Sequence, residues 1–223
     1  MYLVNTPWWL RALYPQLIWQ MPNQAKIIYL TFDDGPHARA TPYVLDTLAQ
    51  YNAKASFFCI GKNVLEHPEI YARILNEGHA VGNHTQHHAN GWKVNDSQYF
   101  SEIDQAASLI RSTLFRPPYG RIKRSQINQL VRTTHSQLFN TFSNSVQSNI
   151  EQSVYKIIMW SVLSGDFDTK LSADTCTQNV IKHTKAGSII VFHDSAKAWD
   201  RMSVALPKVL KHFSALGFRF EAL

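Results

Sequence analysis

Two acids stand side by side in "TFDDGP" (31–36), directly after the apolar run Ile27-Ile28-Tyr29-Leu30. In an ideal strand, neighbouring side chains face opposite sides, so Asp33 and Asp34 share a site only if the chain bends between them. Gly35-Pro36 signals a turn at that place. The competing reading is an Asp-Gly turn carrying two solvated acids. A second segment, "GNHTQHH" (82–88), places His84 and His88 four residues apart, with His87 as a competitor. Two imidazoles and one carboxylate make a metal set with open positions, whereas structural zinc takes four protein ligands. One carboxylate suffices as a ligand, which frees its neighbour to act as a base beside a metal-activated water. That is a hydrolytic arrangement. The same ligands describe non-haem iron oxygenases, for which an all-β fold is expected.

The elements that must carry these residues alternate between strand and helix. Apolar runs at 27–33, 54–61, 79–85, 155–168 and 188–195 read as strands, 115–120 as strand leading into loop, with a short final strand in "FRFEAL". Between them, helical spacing is expected over 41–53 with Thr41 as its cap, 64–78 with its stronger part after Pro68, 96–113, 124–133, 172–185 and 202–216. Near-continuous apolar strands in such alternation belong to a parallel sheet covered by helices. Asp33/Asp34, His84, Arg116/Tyr119, Asp166 and His193 each fall just past the end of a different strand. Five strand ends offering polar groups fit the single mouth of a (β/α) barrel better than one crevice in an open sheet.

A chain of 223 residues with 45% hydrophobic and 17% charged residues is long enough for one substantial core and is neither disordered nor membrane-like in composition. The formal charge of +6 is scattered, and no nucleic-acid motif accompanies it, so a nucleic-acid partner is not expected. Cys59 and Cys176 lie in different elements and have neither metal nor disulfide-framework spacing. The apolar, Trp-rich segment 1–25 is expected to be a strap packed on the outside of a domain formed by 26–223; interfacial membrane contact is the alternative. It lacks a basic start and a small-residue cleavage site, so it does not read as a signal peptide, and a cytoplasmic location is favoured over the envelope. The uncharged stretch 133–150 joins a helix to a strand and is expected at the far end of the barrel.

TFDDGP, then H-T-x-x-H, RPPYG, a Trp- and Asp-containing strand end, and a strand closing on His resemble the ordered motifs of the polysaccharide deacetylase family. This is the NodB-homology group, carbohydrate esterase family 4, and the resemblance covers roughly residues 26–223. It implies an irregular (β/α)7 barrel with the active site at the C-terminal strand ends. The implied activity is metal-dependent removal of acetyl from an N-acetylated glycan of chitooligosaccharide or peptidoglycan type. The alternatives are an O-acetyl esterase and a catalytically silent carbohydrate-binding protein.

The resemblance implies Zn2+ as the metal, with Co2+ or Ni2+ as substitutes, and Asp34, His84 and His88 as its ligands. It makes Asp33 the general base, Arg116 the group orienting it and His193 the general acid. Tyr119 would supply an oxyanion N–H, and Asp166 would tune both Arg116 and His193, with Asp168 as its competitor. Tyr119, Phe167 and Trp199 are the candidates for contacting the glycan, and Trp160 is expected to pack in the barrel. The family pattern departs at Leu163-Ser164-Gly165-Asp166-Phe167, where Leu163 replaces an acid and Phe167 a Trp. Phe167 can still stack on a sugar face but has no N–H to offer.

Overall fold

The computed structural model describes residues 2–22, 25–131 and 155–223. Within them one sheet runs in the order β5-β4-β3-β2-β1-β7-β6, with β8 added to β1. The strands are β1 (Ile27–Asp33), β2 (Ala55–Cys59), β3 (Ala80–Asn83), β4 (Leu114–Phe115), β5 (Lys156–Ile157), β6 (Val162–Leu163), β7 (Ile189–His193) and β8 (Arg219–Phe220). Every ladder is parallel. Seven strands therefore curl into the irregular (β/α)7 barrel, with β1 between β2 and β7 at its centre.

The helices are α1 (Trp8–Leu13), α2 (Ala40–Ala49), α3 (Gly61–Glu66), α4 (Pro68–Asn76), α5 (Asp96–Ala107), α6 (Arg124–Leu130), α7 (Ala173–His183) and α8 (Trp199–Ala215). The expected helix at 64–78 is two pieces, with Pro68 opening the second because its missing N–H costs nothing there. Helix α5 stops at Ala107, short of the expected end at 113. Thr41 does not cap α2: it lies inside the helix, and His37 Nδ1 accepts the N–H groups of Arg39 and Ala40 instead. Thr41 is drawn elsewhere, donating its hydroxyl to Asp194 Oδ2 at 2.5 Å. Among the described residues no helix is long and apolar enough to cross a membrane. The stretch 133–150 lies outside the described residues.

Period-two alternation assigns the two faces of each strand. Ile28, Leu30 and Phe32 of β1, with Phe57 of β2 and Phe192 of β7, join the large core that includes Leu45, Val180 and Leu206 of the helices. Phe58, Leu114, Ile158 and Ile189 form a separate cluster on the other face, inside the curl. Asp33, Arg116 and His193 continue that inner set at the C-terminal ends: Asp33 pairs with His193 in register, and the side chain of Arg116 reaches Asp33. Alternation in the strands thus delivers three polar groups to one layer.

The expected single strand over 155–168 is two short ones. β5 pairs with β4 and β6 with β7, so this one segment passes between the two edges of the sheet and cannot remain a continuous strand. The apolar N-terminal segment lies along the resulting seam. Ile18 bridges to Ile158, Gln20 to Ser188 and Asn5 to Val162. It meets the seam closely at Gly187, which has φ +78° and where an added Cβ would lie 2.3 Å from the carbonyl oxygen of Met21. Gly187→Ala should therefore cost about 1–3 kcal/mol and lower the melting temperature by roughly 2–12 °C. Thermal unfolding followed by circular dichroism checks this; an unchanged transition would mean that the segment is not held at this point.

Candidate active site

Asp34 is the residue the bend had to explain. It follows the last residue of β1 with φ +80°, a left-handed conformation that turns its carboxylate away from the strand alternation. Asn63 Nδ2 donates to the Asp34 carbonyl at 2.7 Å, and Ile60 N–H donates to that of Gly35 at 2.9 Å, tying the turn to the end of β2. The His84–His88 loop is shaped in the same way, with Thr85 at φ +65° and His88 at φ +58°. Of the five non-glycine residues with positive φ among those described, Asp34, Thr85, His88 and Tyr119 lie at this one mouth, leaving only Asn52 elsewhere. Each such conformation costs about 1–3 kcal/mol unless its surroundings enforce it, and such residues gather at functional sites.

The donor atoms of Asp34, His84 and His88 all lie within 4.8 Å of one another. Asp34 Oδ1 is buried without a hydrogen-bond partner, facing His88 Nε2 at 3.2 Å and His84 Nε2 at 3.7 Å. An orphaned carboxylate oxygen converging with two ring nitrogens fits a divalent cation. His84 Nδ1–H donates to the Arg116 carbonyl at 2.7 Å, which leaves the Nε2 lone pair facing the other two donors. Burial, above all, lowers the His84 pKa to about 4, so its imidazole is neutral at pH 7. Burial works the other way on Asp34, yet the adjoining His88 imidazole and the charge of His193 hold it well below the usual carboxylate range. His87 points elsewhere, with Nδ1 3.0 Å from Glu102.

Next to Asp34 in the chain lies Asp33, buried and 2.6 Å from the Nη1 of Arg116. In register with Asp33 on the neighbouring strand, His193 has its Nδ1 2.7 Å from Asp166 Oδ1, and Asp166 Oδ2 accepts the His193 backbone N–H at 2.7 Å. Burial opposes a charge on His193, but Asp166, by charge and hydrogen bond, and then Asp34 and Asp33 raise its pKa to about 10. Asp168 is not the tuning acid here; it accepts from the Tyr2 hydroxyl at 3.1 Å. Nor does Asp166 reach the arginine as the resemblance implied. The hydrogen bonds of Arg116 among the described residues go to Asp33, Thr31 and the carbonyls of Ile158 and Met159.

Tyr119, at φ +60°, sets its ring 4.4 Å from that of His88, and Phe167 sets its ring edge-on to His193 at 5.2 Å. Trp199 lies under the Arg39 guanidinium at 3.9 Å and against Tyr43 at 5.2 Å, half-buried at the start of α8. Trp160 is half-buried beside Gly120, where an added Cβ would lie 2.6 Å from its ring. Sequence reasoning missed Thr31, which holds Arg116, and Arg201, whose Nε–H donates to the Asp166 carbonyl at 2.6 Å. It also missed Asp194, fully buried and packed so closely on Gly35 that a Cβ there would lie 2.0 Å from its Oδ2. Asp194 adjoins the flagged His193 in sequence, but nothing in the local pattern announces its contact with Gly35.

The arrangement can hold a dication close to two groups able to handle protons, one a carboxylate and one an imidazole. A sequence model described as polysaccharide deacetylase matches residues 20–154. Over 208 residues the chain is 36% identical to a peptidoglycan-N-acetylglucosamine deacetylase of Bacillus cereus, covering 90% of this chain and 68% of that one. It is 30% identical over 204 residues to the peptidoglycan-N-acetylglucosamine deacetylase PgdA of Listeria monocytogenes, covering 89% of this chain and 38% of that one. The crystal structure of a peptidoglycan N-acetylglucosamine deacetylase in complex with 4-naphthalen-1-yl-N-oxidanyl-benzamide superposes with a TM-score of 0.80 at 32% identity, over 98% of this chain and 95% of that one. The peptidoglycan deacetylase PdaC of Bacillus subtilis superposes with a TM-score of 0.71 at 26% identity, over 91% and 90%. A sequence model that matches more than half of this chain, together with the B. cereus relative, places the chain in the polysaccharide deacetylase family, a family of metal-dependent hydrolases.

Proposed function

We propose that this enzyme removes the acetyl group from N-acetylglucosamine units of a peptidoglycan-type glycan, using Zn2+ held by Asp34, His84 and His88. The observation that carries the reading is the donor triad flanked by the Asp33–Arg116 pair and the His193–Asp166 pair. The ion, when bound, supplies a Lewis acid that activates water and polarises the acetyl carbonyl.

The remaining steps belong to the chain's own groups. Asp33 takes the proton from the attacking water, and Arg116 holds the carboxylate in place for it. The backbone at Tyr119, beside His88, offers an N–H toward the developing oxyanion. His193 gives its proton to the sugar nitrogen as the C–N bond breaks, so an amine leaves instead of an amide anion. Asp166 holds that imidazole in its protonated form and fixes its orientation. The products are acetate and a free amino sugar.

Acetate release from peptidoglycan fragments and chitooligosaccharides by the zinc-loaded enzyme tests the reading, and its absence on every N-acetylated glycan would sink it. The two adjacent acids should separate cleanly. Asp33→Asn is expected to keep near-stoichiometric metal while turnover falls at least about 100-fold, whereas Asp34→Asn loses metal as well as rate. Metal content of the two purified variants decides, and equal metal loss would refute the assignment.

The two flanking pairs differ in what they should do to the pH profile. His193→Ala should cost an N-acetyl glycan about 10²–10⁴-fold in kcat, but an aryl acetate much less, because a phenolate leaves without protonation. Because Asp166 raises the His193 pKa, the acid form is lost only as pH climbs toward 10. Asp166→Asn removes that support, so the alkaline limb of kcat should move to lower pH. A limb that stays in place, or equal losses on amide and ester, would leave His193 without the role of acid.

A further inference from the structure

A cleft of about 550 Å³ opens beside the metal triad, a size within the range of small-molecule sites. Its inner wall includes Trp92, Tyr119 and Trp160; its outer wall comes from the N-terminal segment through Leu3, Leu10 and Tyr14. Most of that outer wall precedes residue 20, where the family match begins. We propose that this cleft is a glycan subsite that seats a pyranose ring neighbouring the acetyl-bearing one, and that the N-terminal segment is part of the substrate-binding surface. The inference rests on the glycan reading above.

Continuity is the first argument. Tyr119 lines the cleft and also packs its ring 4.4 Å from that of His88, so the cleft begins where the triad ends. A polymer whose acetyl group sits at the triad must lay its next units on the adjoining surface.

The chemistry of the lining is the second. Pyranose rings present apolar C–H faces edged by hydroxyls, which suits aromatic planes with donors at the rim. Trp92 is such a plane. It is 61% exposed, yet its Nε1–H donates to the Ile122 carbonyl at 3.1 Å and its backbone N–H to Asn90 Oδ1 at 3.1 Å. An exposed indole fixed in orientation is already ordered before a ligand arrives. The exposed Arg121 guanidinium lies 5.3 Å from that ring and offers rim donors for sugar oxygens. The outer wall is fixed as well: Arg11 donates to Gln20 Oε1 and to the Thr6 carbonyl, both at 2.9 Å, and Tyr2 rests on Phe167 at 4.9 Å.

Trp92→Ala and Leu3→Asp test the two walls, with Trp92→Phe as the conservative control. The ratio of kcat/KM on chitohexaose to that on 4-nitrophenyl acetate, which has no neighbouring sugar, should fall about tenfold in Trp92→Ala and severalfold in Leu3→Asp. It should largely recover in Trp92→Phe. Equal losses on both substrates, or no loss on the hexamer, would overturn the subsite; an effect of Trp92 without one of Leu3 would overturn the role of the N-terminal segment. Calorimetry of chitohexaose on the EDTA-treated enzyme separates this inference from the reading it rests on. Binding weakened about tenfold by Trp92→Ala upholds the subsite even if the wild type releases no acetate, and binding untouched by the variant overturns it.

Discussion

A single buried guanidinium organises this molecule. Arg116 has no exposed surface, and its four hydrogen bonds reach Thr31 and Asp33 on β1 and the carbonyls of Ile158 and Met159 in the crossover segment. Its planar face rests on the Phe58 ring at 4.0 Å, and its own backbone carbonyl orients His84. Burial pushes the guanidinium pKa down and the Asp33 carboxylate pushes it back, so two buried charges compensate each other at close range. Removing one member of such a buried pair costs about 3–5 kcal/mol, since the other is left desolvated and unpaired. The same residue therefore holds the interior together, fixes the Asp33 carboxylate and, through its backbone, sets the tautomer of His84.

The split at 158–161 follows from the same constraint. A continuous strand would commit the carbonyls of Ile158 and Met159 to a ladder. Where the segment leaves one edge for the other, those oxygens turn to Arg116 instead, and the Trp160 carbonyl accepts the Thr6 hydroxyl of the N-terminal segment at 2.8 Å. The discontinuity in the barrel is thus satisfied from both sides, by the arginine within and by the apolar segment without.

The two histidines flanking the carboxylates illustrate how environment divides labour between identical side chains. His84 is buried against a carbonyl and is held neutral, which a metal ligand requires. His193, more open than His84, has the Asp166 carboxylate on its Nδ1, which favours its protonated form. The Asp166 carbonyl in turn accepts from the Arg201 guanidinium, which anchors this residue from α8. Groups whose surroundings drive their pKa values apart are the signature of paired acid and base work.

Much of this was legible in residue order alone. Apolar runs in alternation with helical spacing specified a parallel sheet, because only a sheet covered on both faces needs strands without polar positions. Polar residues at successive strand ends then implied one mouth, and the doublet Asp33-Asp34 with the pair His84/His88 implied a metal beside a base. What residue order does not contain is direction. The left-handed turn at Asp34, the choice of His88 over His87, the pairing of Asp166 with His193 and not with Arg116, and the close fit of Asp194 on Gly35 all depend on groups brought together across the chain. The same holds for 155–168, whose composition is that of one strand but whose path is set by which edges of the sheet it must join. Local composition decides which elements form, since burial and backbone propensity act over a few residues. The aim of a carboxylate or an imidazole is decided by contacts far apart in sequence, which exist only once the sheet has curled.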